Sequence, residues 1–396
     1  MREKYKRFGI VFFTLYLFAG YFKGDPSLAI LQNHIDITVL LFAFSFSIFV
    51  FRVPELKIAR DFFWMIMFYL LLAAILVGGL LYTQNIQYGT DKTLRFIVLT
   101  GWAFLGSAML AQDYSSLRLF CWMLTIISTI MAFGAVINHT GNEFTTVFGS
   151  NYIALARACG LGFLTVVGFL LPTEKELRIK LGLWFVAALL LWATLVAGAR
   201  GPVTALSISL ILFFILSLRL RDFPILKIDR FAWYLGIVIF FTVIIISAFA
   251  PELFPTLASR IQILVTTVGV SAATRLEFYK AAFDQWTDSP IIGGGTGQFG
   301  SALLGKDVDL YPHNILLELA SENGLLGVLV FMIMVGFSFY KGIAELCRRF
   351  IINRYLMAAL CFALLNAMVS GDINDNRIVF TFIALLSLTF LQGEYS

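Results

Sequence analysis

Apolar runs of membrane-spanning length follow one another along almost the whole chain, for example Leu183 to Val196, Thr204 to Leu218, Phe231 to Ala250 and Gly324 to Tyr340, each closed by a polar break. An unpaired backbone group in lipid costs several kcal/mol, so helices are the predicted spanning element. The pattern predicts an all-α integral membrane protein with about 12 transmembrane helices, at roughly 8–22, 33–51, 62–82, 94–111, 119–138, 152–171, 183–199, 202–218, 231–250, 324–340, 355–370 and 377–393. Residues 1–396 read as one polytopic membrane domain. One break is long: the segment 251–312, between spans nine and ten, is predicted to be an outer loop containing short helices.

Composition agrees with this reading. The chain is 60% hydrophobic and 13% charged, with a mean hydropathy of +0.88, values foreign to soluble globular chains. Charge adds orientation: most of the 29 Lys and Arg residues fall at the amino terminus and in alternate loops, which predicts a cytoplasmic location for that side and for both termini. The net charge of +5 is therefore a topology signal and carries no nucleic-acid reading. The first apolar run lacks a small-residue cleavage site, so the first span is expected to stay in the mature protein. Cys121, Cys159, Cys347 and Cys361 show no CxxC spacing and suggest neither a disulfide framework nor a zinc site.

Candidate chemistry gathers on the opposite side. In the long loop, Leu276, Tyr279, Phe283 and Trp286 fall on one face of a predicted helix that stops at Asp288-Ser289-Pro290. Gly293-Gly294-Gly295-Thr296-Gly297 follows; without a Gly-Lys-Ser/Thr it is no phosphate loop, and its simplest reading is a tight turn returning the chain to the bundle. The topology rule depletes cations there, so each remaining one has to be weighed. Arg200 sits in Gly198-Ala199-Arg200-Gly201-Pro202, the short turn between spans seven and eight, and reads either as a snorkelling helix-end arginine or as an anion-binding fork. Arg275 carries the same two readings, with a solvated helix face as the plain one.

His313 closes the loop within Tyr311-Pro312-His313-Asn314. Pro312 fits the first turn of a helix, and a ring near a helix amino terminus is kept neutral and able to accept a proton; the plain alternative is a hydrogen-bonded interfacial histidine. Glu318 and Glu322, one turn apart, are expected to pair with outward arginines or to orient polar groups. Tyr311 and Asn314 read as acceptor-site residues or as packing and capping. Asp307 and Asp309 form too common a pair to indicate a metal.

Four features in order, Gly198-Ala199-Arg200-Gly201, Arg275, Trp286 through Pro290 to Gly293-x-Gly295-x-Gly297, and Pro312-His313-Asn314…Glu322-x-Gly324…Gly327, give the carboxy-terminal half a resemblance to the O-antigen ligase and polymerase superfamily of bacterial envelope polysaccharide assembly. The amino-terminal half resembles the family in hydropathy and topology only. The resemblance implies a glycosyltransferase of the bacterial inner membrane, acting on its periplasmic face without metal or cofactor. Its donor would be a glycan on undecaprenyl diphosphate and its acceptor a sugar hydroxyl on a second lipid-linked saccharide. Arg200 and Arg275 would hold the donor diphosphate and His313 would meet the acceptor hydroxyl, giving inversion in one displacement. Ligation onto lipid A-core is the first reading, polymerisation of repeat units the second, and transport of lipid-linked saccharides the third. The enzyme reading requires that the imidazole and the two guanidinium groups line one outward cavity.

Overall fold

The structure is a computed structural model that describes residues 2–25, 36–51, 60–110, 113–139, 144–219, 227–228, 270–306, 308–346 and 350–388. In chain order its helices are α1 (Arg2–Phe18), α2 (Ile37–Val50), α3 (Arg60–Gly79), α4 (Ile86–Arg95), α5 (Tyr114–Asn138), α6 (Tyr152–Thr165), α7 (Leu177–Val196) and α8 (Arg200–Ser217). They continue with α9 (Val270–Asp288), α10 (Phe299–Leu304), α11 (Ile315–Ala344), α12 (Phe350–Ala367) and α13 (Arg377–Ser387). A two-residue antiparallel pairing, Leu218–Arg219 with Lys227–Ile228, is the strand structure among the described residues.

Six described helical segments are long and apolar enough to cross a membrane: Arg60–Gly79, Tyr114–Asn138, Tyr152–Thr173, Leu177–Val196, Arg200–Ser217 and Ile315–Ala344. They correspond to expected spans three, five, six, seven, eight and ten. The shorter apolar helices Ile37–Val50, Ile351–Ala367 and Arg377–Ser387 fall on spans two, eleven and twelve. Expected span four is not a uniform helix, because α4 runs through a π-turn at Phe96–Thr100 and a short helix, Gly101–Leu105, into a 3-10 turn. Span nine and loop residues 251–269 lie outside the described residues.

The helices pack in sequence-adjacent and crossing pairs: α1 on α2 and α5, α6 between α5 and α7, α8 against α12, and α11 against α3, α9 and α13. One continuous apolar core joins them, with Phe13, Tyr16, Phe96, Phe120, Phe169 and Tyr355 almost fully buried. At one end of the bundle, ion pairs close the helix ends: Lys6 with Asp113, Arg118 with Glu174 at 2.7 Å and Lys341 with Asp61 at 2.6 Å. The functional candidates occupy the other end.

Expected span ten begins at Gly324, yet α11 begins nine residues earlier, at Ile315, and Gly324 is a break inside it with φ 64° and ψ −163°. That backbone region belongs essentially to glycine. The glycine run 293–297 is the counterpart of the break. Gly294 N donates to Ser321 O at 2.8 Å and Gly295 N to Glu322 O at 2.9 Å, while Leu325 N donates to Pro290 O at 2.9 Å and Leu326 N to Ile291 O at 3.3 Å. The turn thus satisfies backbone groups that the broken helix cannot satisfy itself. A Cβ on Gly293 (φ 74°) would lie 2.4 Å from the Glu322 carbonyl carbon, so the turn approaches as closely as it does only because it lacks side chains there. Thr296 extends the lock to α3, its Oγ1 donating to Leu76 O at 2.8 Å.

Candidate functional site

Arg200 is the first residue of α8, and α7 ends at Val196, so the turn between them is only Ala197–Ala199. Gly198 adopts φ 73° there. Arg275 projects from the second turn of α9. The face predicted for α9 proves to be largely its outer one: Leu276 and Phe283 are exposed, while Phe278 and Ala282 turn inward. Phe278 packs edge-on against Phe299 of α10. Arg275 thereby leans over the start of α8, and the two arginines line the same two cavities.

The first cavity is a narrow cleft walled by Phe144, Tyr152, the Gly198–Pro202 turn and Ser370. The second is an apolar groove of about 490 Å³ running along α8 and α12, past Ala205, Ile208, Leu276, Leu365 and Met368. Arg200, Gly201, Arg275 and Val369 belong to both. Two cations therefore stand on the ridge between a narrow aromatic cleft and an apolar trench.

His313 does not line either cavity. It sits behind Arg275, its ring stacked parallel to Phe278 at 6.2 Å and meeting Tyr311 edge-on at 4.6 Å. The helix begins later than the sequence suggests: Asn314 is the cap, its side chain accepting from Leu316 N at 3.0 Å and Leu317 N at 3.1 Å, and Pro312 precedes it. His313 thus lies just outside α11, with φ 60°, a left-handed conformation that costs a non-glycine residue about 1–2 kcal/mol. Its Nδ1 is buried without a hydrogen-bond partner among the described residues. Burial, above all, holds the imidazole below its ordinary pKa; the Arg275 charge adds to this and Asp375 opposes it. Neutrality at pH 7 therefore has a cause other than the helix dipole, with Arg275 as the electrostatic link between the histidine and the two-arginine ridge. The requirement of one shared cavity is met by the arginines alone.

Asn314 is a cap, and Glu318 and Glu322 are not surface acids. Both contact Lys92 of α4 at 2.6 Å, and all three side chains are 2% exposed or less. The partner expected for them was arginine; it is this lysine, which the sequence marks only as one outward cation. The 368–376 turn closes over the cluster. Ile373 N donates to Glu318 Oε1 at 3.2 Å and Asn374 Nδ2 to Lys92 O at 3.0 Å, while Thr100 Oγ1 donates to Asn374 Oδ1 at 2.9 Å. Arg157 of α6 donates to Asn376. Asp372 is buried here, and burial together with the Asp375 charge pushes its carboxyl up to about 6. Asp375, exposed at the tip, carries a charge near Tyr311, whose phenol is raised mainly by burial and further by that carboxylate.

Sequence reasoning missed Lys92, Phe278, Asp372 and Asp375 as site residues. A signal existed for the last two: Gly371-Asp372-Ile373-Asn374-Asp375-Asn376 is an unusually polar run between two apolar stretches. Asp307 lies outside the described residues, among which no group of three or more His, Cys, Asp and Glu side chains is placed to hold a metal.

Residues 185–332 match the family model described as O-antigen ligase, an interval that holds Arg200, Arg275, His313, Glu318 and Glu322; Lys92, Asp372 and Asp375 lie outside it. The match supports the O-antigen ligase and polymerase superfamily for this chain. No curated protein matches the chain in sequence.

Proposed function

We propose that this chain, which carries the O-antigen ligase match, is a membrane glycosyltransferase that moves a glycan from undecaprenyl diphosphate to a sugar hydroxyl of a lipid-linked acceptor. The observation that carries the reading is the position of Arg200 and Arg275 on the ridge between an apolar groove and a cleft. A polyprenyl tail needs such a groove, and a diphosphate needs fixed guanidinium forks beside it. Diphosphate leaves readily, so the chemistry needs charge stabilisation on the departing oxygens more than a strong acid. Two preorganised guanidinium groups supply it.

We assign the proton of the acceptor hydroxyl to the neutral His313 ring as that oxygen forms its bond to the anomeric carbon and the bond to the diphosphate oxygen breaks; the ring lies outside both cavities, so this assignment requires bound substrate to bring the ring and the cleft mouth together. A single displacement, in which the acceptor hydroxyl attacks the anomeric carbon opposite the departing diphosphate, inverts the anomeric centre. No step in this scheme is assigned to a metal. The Lys and Arg distribution supports a reading in which this end of the bundle faces the periplasm from the bacterial inner membrane and both termini are cytoplasmic.

Ligation to lipid A-core is the first reading and polymerisation the second; the same three residues serve either acceptor, so the acceptor itself has to be tested. The test is a reconstituted reaction with purified protein, an undecaprenyl-diphosphate glycan and two acceptors, lipid A-core and a lipid-diphosphate repeat unit. Product on lipid A-core identifies a ligase, and product on the repeat unit a polymerase. His313→Ala is expected to lower either rate by about 10²–10⁴-fold. Failure of wild-type protein to extend either acceptor would refute the enzyme reading, and wild-type rates in His313→Ala would refute the role of the histidine.

A further inference from the structure

The groove and the guanidinium ridge leave the cleft on the far side without an occupant, and its walls specify one. Phe144 and Tyr152 stack with ring centroids 3.9 Å apart and 19° between planes, both partly exposed to the cleft. The pair is held firmly. Tyr152 opens α6 directly after its cap Asn151, whose side chain accepts from Ala154 N at 2.8 Å. Phe144 is followed by Thr145, bonded to His139 at 3.0 Å, and by Val147, which is 1% exposed.

We infer that Phe144 and Tyr152 form the subsite for the first sugar of the donor, and so bear on which sugar the enzyme accepts next to the diphosphate. This rests on the assignment of Arg200 and Arg275 to the diphosphate. A lipid tail in the apolar groove, joined to a diphosphate on the ridge, delivers its anomeric sugar to whatever lies across the ridge, and that is the mouth of the cleft, whose interior of about 40 Å³ is too small for a whole pyranose, so that the sugar rests on the aromatic pair at the opening. A pyranose presents a face of C–H bonds with partial positive charge, which suits the negative face of an aromatic ring. The remaining walls, the Gly198–Ala199 backbone and Ser370, offer hydrogen-bonding groups to ring hydroxyls. The acceptor has no link to the ridge; only its attacking hydroxyl has to reach the anomeric carbon at the cleft mouth.

The test measures binding of two lipids to the full-length protein in nanodiscs: polyprenyl diphosphate without sugar, and the same lipid carrying one hexose. Wild type is expected to bind both. Phe144→Leu and Tyr152→Leu are expected to weaken the glycosylated lipid about tenfold and leave the bare lipid within about twofold, while Phe144→Tyr keeps the wild-type preference. Arg200→Ala weakens both lipids alike. If the leucine variants weaken both lipids equally, the pair only buttresses Arg200 and the subsite is wrong; if they weaken neither, it is also wrong. Wild-type protein that binds neither lipid, or an Arg200→Ala effect on neither, removes the diphosphate assignment itself and the subsite with it.

Discussion

Two glycines of α11 are expected to respond to the same substitution with opposite signs. A methyl group on Gly324 would lie 2.3 Å from Ile291 O, at a backbone angle of φ 64° that disfavours any side chain. The conformational cost is about 1–3 kcal/mol. Relieving the overlap also pushes away the turn that makes four backbone hydrogen bonds to residues 321–326, each worth about 0.5–1.5 kcal/mol. Loss of two of them brings the expected destabilisation of Gly324→Ala to about 2–6 kcal/mol. Gly336, in the regular part of the same helix, has nothing within 4 Å of its added Cβ. Gly336→Ala should therefore stabilise, by about 0.5–1 kcal/mol, through reduced backbone entropy of the unfolded chain. Thermal unfolding of both variants in one detergent checks this, with transfer activity measured in parallel. Glu322 stands two residues before the break and holds Lys92, so Gly324→Ala should also lose activity while Gly336→Ala keeps it. A Gly324→Ala protein as stable as wild type, or two variants shifting in the same direction, would refute the interlocked break.

Lys92→Met removes the cation between two buried carboxylates and should destabilise by about 3–5 kcal/mol; adding Glu318→Gln and Glu322→Gln should recover most of that in the same unfolding assay, and no recovery would mean that Lys92 acts by packing. Arg275→Lys keeps the charge but not the planar fork, so donor turnover should fall by about 10²–10³-fold, whereas wild-type turnover would exclude a bidentate role. His313 works in its neutral form, and its pKa is held below the ordinary value of about 6.5, so transfer should be flat above neutrality and fall only as pH drops through that lowered pKa. Asp375→Asn deletes the charge that opposes the lowering, and should move the acidic limb of the rate profile to still lower pH; movement upward would contradict the electrostatic account.

What could be read from the sequence follows from what a hydropathy window averages. Long apolar runs such as 183–199 and 202–218 appear as helices α7 and α8 with boundaries a few residues away, because their end signals are polar and local. The first turns of α11 were hidden because Glu318 and Glu322 lower the window that contains them, although both acids contact Lys92, more than two hundred residues upstream. No periodicity reports a partner at that separation. Arg200, Arg275 and His313 stood out as candidates for the opposite reason, being polar groups on the side that the charge rule depletes of cations, yet the sequence did not show that only the two arginines share a cavity.

The buried lysine cluster also explains why a site with so few charged groups can stay ordered at a membrane boundary. Arg275 and His313 stand on separate chain segments, α9 and the residue before the α11 cap, and each segment alone could drift. Their relation is fixed indirectly: the glycine turn after α9 is hydrogen-bonded to α11 at its break, and the first turns of α11 are tied through Glu318 and Glu322 to α4. Glu318 also accepts from Ile373, in the same turn that presents Asp375 to Tyr311 beside the histidine. A residue at Lys92 that cannot hold both carboxylates should therefore blur the His313 to Arg275 spacing, and a displacement of about 1 Å at reacting groups is enough to cost roughly 10²-fold in rate. Lys92→Met protein kept below its lowered melting temperature should consequently show a reduced turnover rate, with donor binding, which depends on the α8 and α9 arginines, much less affected. Equal losses in both would mean that the cluster supports the whole fold and has no particular tie to the histidine.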